Sequence, residues 1–219
     1  MYVLPMASYL VLTSLEPSFC QENGALVPQR YAVAYGVKLL VVAGVMWWAR
    51  GTWGDYGVHF SWGGVGIGVV LGLVVAALWV GLDGRYPAIP LLGERSAFDP
   101  GALGEGGKWL FLVVRMVGLV VLVPVFEELF WRSFVNRYVI DGDRWESVPV
   151  GRVTLASGAV TAVLFALVHP EWLPALLTGL LWAFLLYRTK SLAACLASHV
   201  TANLALGVYV ITTGAWKFL

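Results

Sequence analysis

The sequence predicts an all-α, polytopic membrane bundle, and three observations carry that prediction. Hydrophobic residues make up 59% of the 219-residue chain and charged residues only 12%. Soluble domains carry about 25% charged residues, so this composition cannot cover a water-facing surface. The apolar runs are long and continuous, without the period-two alternation of a membrane barrel. The chain also holds 11 Trp, several of them (Trp47, Trp48, Trp53, Trp62, Trp109, Trp172, Trp216) at the edges of apolar runs, where indole favours the headgroup zone.

Taken in order, the apolar runs fall at 2–15, 31–49, 63–82, 109–140, 153–169, 173–187 and 192–213. A bilayer core needs roughly 20 apolar residues per helix, which makes this about seven membrane segments, six to eight in range. The run 2–15 is short, and it lacks the basic n-region of a cleaved signal peptide. The run 109–140 is too long for one crossing, about 48 Å at 1.5 Å per residue. Either its C-terminal part leaves the membrane or Pro124 kinks it, freeing a carbonyl near residue 120. Polar linkers separate the runs at 16–30, 50–62, 83–108 and 141–152; the 83–108 linker is the longest and has the length to cover a cavity. We expect a single membrane domain over 1–219.

Charge adds less. The net charge is +1 and no basic stripe is present, which gives no reason to expect a nucleic-acid partner. Arg50, Arg137, Arg144, Arg152, Arg188 and Lys190 fall on one side of the segment count. Arg30, Arg85, Arg95, Lys108 and Lys217 fall on the other, so the positive-inside rule gives no orientation. Lys38 and Arg115 lie inside apolar runs, where snorkelling toward an interface is the default expectation. Cys20 and Cys195 are the only thiols and form no CxxC pair, which argues against a thiolate metal site.

Three polar islands interrupt the apolar C-terminal half. The first is Glu127-Glu128-Leu-Phe-Trp-Arg132. Adjacent acids in such a run are costly and point to a function. Residues four apart share a helical face, so Glu128 and Arg132 should pair, with the acid in the favourable N-terminal place. Glu127 points about 100° away and has no local cation. A carboxylate so placed suits a general base, with a structural contact to a histidine as the simpler role. The second island is Phe165-Ala-Leu-Val-His169, in which His169 precedes Pro170 and should end its helix. The third is His199-Val-Thr-Ala-Asn203, two donors on one face that can grip a single oxygen as an oxyanion hole does, or else tie helices together. Three such islands in one half of the chain favour a shared centre.

The order EExxxR, FxxxH, HxxxN over about 109–213 resembles the CPBP family, which contains the type II CAAX prenyl endopeptidases and bacteriocin-processing (Abi) proteins, including bacterial members linked to exosortase systems. The resemblance implies an intramembrane glutamate endopeptidase of a bacterial inner (plasma) membrane. Its substrate is then a membrane-associated peptide or protein. Glu127 and His169 activate the water, His199 and Asn203 hold the oxyanion, and Glu128, Arg132 and Phe165 support them. No cofactor or metal is implied. Other readings of the same residues are a zinc-dependent membrane protease, although HExxH is absent; a Cys195–His199 thiol enzyme, since these two also stand four apart; and a non-catalytic scaffold or immunity-type protein that binds a partner.

Overall fold

Helix α1 (Val3–Cys20) turns back through a two-residue hairpin onto α2 (Pro28–Trp48). The turn is Asn23-Gly24 between β1 (Gln21–Glu22) and β2 (Ala25–Leu26), with φ of 53° and 80°. Both values are left-handed, as a type I′ hairpin requires, and Asn-Gly is the pair that adopts them most readily. Pro28 then opens α2 at a position where its missing N–H costs nothing. The structure is a computed structural model that describes residues 1–93 and 97–218, so Arg95 and part of the 83–108 linker lie outside the described residues.

A 3-10 segment (Arg50–Gly57) leads to α3 (Trp62–Leu82), capped by Ser61 Oγ, which accepts from Gly64 N at 3.1 Å. A single long helical rod follows, α4 (Gly104–Val117), a π turn (Gly118–Leu122), α5 (Val123–Glu128), a second π stretch (Leu129–Val135) and α6 (Asn136–Ile140). Three more helices complete the bundle: α7 (Leu155–Leu167), α8 (Trp172–Thr189) and α9 (Leu192–Thr213). Thr154 and Ser157 form a reciprocal capping box at the start of α7. Five helical stretches are long and apolar enough to cross a bilayer: Pro28–Trp48, Trp62–Leu82, Pro100–Ile140, Trp172–Thr189 and Leu192–Thr213. The N-terminal helix and the shorter α7 fall outside those five. The all-α polytopic bundle predicted from composition is the observed architecture, and the chain is an integral membrane protein.

The most extensive helix packing joins α3 to α9. A glycine stripe makes it possible. A Cβ built at Gly68 would stand 2.3 Å from Ala194 O, and one at Gly72 would stand 2.4 Å from Ser198 O. In lipid, where apolar burial drives helices together only weakly, such bare surfaces let backbones meet at van der Waals distance. α7 and α8 are matched in the same way, with Gly179 against Ala162. The core between these pairs includes Val75, Phe126, Trp131, Phe165, Trp182 and Ala202.

Pro124 does bend the rules of its rod, but through register. In the π turn, Val123 N–H reaches Gly118 O, five residues back. The next bond of that ladder would run from residue 124 to Leu119 O, and proline has no N–H. The orphaned carbonyl is therefore Leu119, one residue from the position expected for α register. The charged end of the rod is tied down as well: Arg137 Nη2 lies 3.2 Å from Asp55 Oδ2, and Ser133 Oγ and Tyr2 hydroxyl donate to the same carboxylate.

Candidate active site

Glu127 on α5, His169 just beyond α7, and His199 and Asn203 on α9 line one cavity of about 390 Å³. Phe165 of α7 lines it too. Glu128 and Arg132 do not; they lie behind its wall, with Glu128 at 0% and Arg132 at 2% exposure. Adjacent carboxylates thus have different surroundings, as the 100° step of a helix dictates. Glu127 faces the cavity and Glu128 faces protein.

Glu128 holds two partners at once. Its Oε1 accepts from Arg132 Nη1 at 3.2 Å and from His199 Nδ1 at 2.8 Å. The i, i+4 pair expected from the sequence is present. The link to α9 is an addition that no local spacing reveals. Because a carboxylate oxygen only accepts, Nδ1 of His199 carries a proton, and Nε2 is the nitrogen left for the cavity. Aromatic faces complete the support. The Arg132 guanidinium carbon lies 4.6 Å from the ring centroids of both Phe165 and Trp182. Trp182 also lies against the His199 ring at 4.4 Å and donates through Nε1 to Ser198 Oγ at 2.8 Å. A guanidinium set against aromatic rings is stabilised by their negative faces, which helps a charge stay buried in an apolar bundle.

His169 is oriented by its own helix. Its Nδ1 lies 2.7 Å from Phe165 O, and a carbonyl accepts, so this nitrogen is again the donor. The ring lies 4.4 Å from Phe165 and edge-to-face with Trp79 at 5.9 Å. Trp79 is itself fixed by Nε1 donating to Thr178 Oγ1 at 3.0 Å. The helix ends at Leu167, as Pro170 demands.

Asn203 differs from the expectation of a purely oxygen-gripping donor. Its Nδ2 donates to Leu119 O at 2.8 Å, the carbonyl left over by Pro124. An amide carries two N–H bonds, so one closes the backbone gap and the second is left to a ligand. The thiol alternative is not formed. Cys195 is buried with Sγ directed at Trp182 O at 3.6 Å, and the Nδ1 of His199 belongs to Glu128. Among the described residues no group of three His, Cys, Asp or Glu converges as a metal site would require.

Sequence reasoning missed several residues. Trp182 and Trp79 are among them. Tyr56, whose hydroxyl donates to Val125 O at 2.7 Å, comes from the 3-10 segment and pins α5 two residues before Glu127. The Gly64, Gly68, Gly72 repeat at intervals of four was the one local signal that could have located the α3–α9 contact. Lys38 and Arg115 line the same cavity as Glu127.

Residues 109–205 match the family model described as Rce1-like, type II CAAX prenyl endopeptidase. The match covers fewer than half of the 219 residues, and over it the chain is similar to this CPBP-type family. CPBP members of this kind are membrane proteases, and the match spans all three polar islands of the present chain. No curated protein and no solved structure matches the chain.

Proposed function

We propose that this protein is a CPBP-type intramembrane endopeptidase that hydrolyses a peptide bond in a membrane-associated peptide or protein. One observation carries the reading: the carboxylate of Glu127, two imidazoles and a carboxamide line a single cavity inside apolar helices. Water activation and oxyanion stabilisation need these groups.

The chemistry balances in charge. Glu127 takes a proton from a water held against His169 Nε2. The hydroxide attacks the scissile carbonyl, whose oxygen becomes negative. Asn203 offers its second N–H to that oxygen, and His199 offers Nε2–H as an imidazolium whose Nδ1–H faces Glu128. After proton transfer the oxyanion replaces the charge of Glu127, so the net charge of the site does not change. Glu127 then gives its proton to the leaving amine, and the tetrahedral species collapses. Keeping net charge constant matters because field effects are strong where water is scarce.

The test is hydrolysis itself. Purified protein in proteoliposomes is incubated in ¹⁸O-water with a library of lipid-anchored peptides, and products are read by mass spectrometry. The reading expects a new carboxyl terminus carrying one ¹⁸O atom. Products without label, or no cleavage of any library member, would count against it.

A further inference from the structure

Helix α5 holds only six residues, between the π turn Gly118–Leu122 and the π stretch Leu129–Val135. Fewer than two α turns separate these two changes of register. Bonding over five residues in place of four turns the residues before a π stretch relative to those after it, and such stretches occur often at functional sites. The direction of Glu127 therefore depends on what holds α5 from outside the rod. Asn203 does so before the helix begins, through Leu119 O. Tyr56 does so within it.

The Tyr56 hydroxyl donates to Val125 O at 2.7 Å, across 69 positions of sequence. Leu129 N–H also reaches Val125 O, so the phenol takes the second lone pair of a carbonyl that already has a backbone donor. The turn closed by that backbone bond carries both Glu127 and Glu128. Tyr56 is itself firmly based. Its neighbour Asp55 accepts from Arg137 Nη2 at 3.2 Å, from the Tyr2 hydroxyl at 2.9 Å and from Ser133 Oγ. Arg137 Nε in turn donates to Ser133 O at 2.8 Å. Two adjacent residues of the 3-10 segment thus grip the rod before the second π stretch and again at its far end. Neither Asp55 nor Tyr56 lines the cavity, so neither is placed to touch a substrate there.

We propose that Tyr56 is a positioning residue: anchored by Asp55, it holds the rotation of α5 and so aims the Glu127 carboxylate into the cavity. A slip of one residue in register turns a side chain by about 100°, enough to carry Glu127 out of the cavity and into its wall. The consequence for rate rests on the hydrolase reading, and the consequence for aim does not.

Tyr56→Phe removes the hydroxyl and leaves Val125 O its backbone donor, so the variant keeps its fold. Kinetics are measured in proteoliposomes on a lipid-anchored peptide that the unaltered protein cleaves. We expect kcat to fall by about tenfold or more, the scale of a misaligned reacting group, with KM unchanged. Aim is read without catalysis, on full-length protein in nanodiscs with Cys20→Ala and Cys195→Ala. Glu127→Cys is labelled with methyl methanethiosulfonate and followed by intact mass, and Ala76→Cys, in the cavity wall on α3, is the control. Adding Tyr56→Phe should slow labelling at position 127 by about threefold or more, since thiol reactivity follows access, and leave position 76 unchanged. Unchanged kcat or unchanged labelling at position 127 would overturn the proposal. So would equal slowing at both positions, which is general loosening. If the unaltered protein cleaves no library peptide while the labelling difference is found, the hydrolase reading fails and the positioning role stands.

Discussion

The Nδ1 of His199 lies 2.8 Å from Glu128 Oε1, so the carboxylate that pairs with Arg132 on its own helix also fixes the imidazole of α9. Glu128 is the joint between the first and third polar islands. Removing its charge leaves a buried guanidinium without its anion, a change that costs about 3–5 kcal/mol. Glu128→Gln should therefore lower thermal stability in detergent and cut turnover. The same ring is affected in His199→Gln, so the double variant should lose little more activity than the worse single one. Full additivity in kcat would show that the two residues act separately.

Asn203 closes the ladder that Pro124 opens. Asn203→Ala leaves the half-buried Leu119 O without its side-chain partner, which costs about 1 kcal/mol or more. Pro124→Ala supplies a backbone N–H for that carbonyl. In the Pro124→Ala background, Asn203→Ala should cost clearly less stability than it does alone. A double-mutant cycle by chemical or thermal unfolding checks this, and a coupling near zero would contradict the link. Activity separates the two duties of the amide. If it also donates to the oxyanion, Pro124→Ala will not rescue the roughly 100-fold or greater rate loss expected for a missing donor.

The α3–α9 contact tolerates no side chain. Gly72→Ala places a methyl 2.4 Å from Ser198 O and 2.7 Å from Thr201 Cβ, next to His199. Neither neighbour is a flexible chain end, so α9 must shift. We expect about 2 kcal/mol or more of destabilisation, on the scale of overpacking, and loss of most activity. Gly66 has nothing within 4 Å, so Gly66→Ala serves as the control and should be neutral or slightly stabilising. Equal behaviour of the two variants in unfolding and cleavage assays would refute the stripe.

Much of this was legible in the sequence because membrane physics is simple in one dimension. Long apolar runs must be helices, and Pro170 and Pro124 mark where their hydrogen bonds fail. Glu128 and Arg132 were readable because they are neighbours on one helix turn. The Glu128–His199 contact was not, since it spans 71 positions and depends on how α9 is set against the rod. That setting is made by glycines, whose message lies in the absence of a side chain. Trp182 illustrates the same limit. In an apolar sequence an aromatic is unremarkable, and only packing shows that it touches both Arg132 and His199. That Lys38 and Arg115 line the cavity was not readable, because the sequence does not show a cavity.

Metal removal offers an independent check. The proposed mechanism draws its nucleophile from Glu127 and His169, with no ligand set of three acidic, thiol or imidazole groups among the described residues. Cleavage should be unchanged after treatment with 1,10-phenanthroline and dialysis. Activity that disappears and returns on adding zinc would favour the metalloprotease alternative.

Glu127→Gln in proteoliposomes is the most direct measurement. The substitution keeps the size of the side chain and removes the base. The account predicts loss of peptide cleavage by at least about 100-fold, the scale of general-base contributions, with unaltered membrane insertion and unfolding behaviour. Cleavage at a rate near that of the unaltered protein would contradict it.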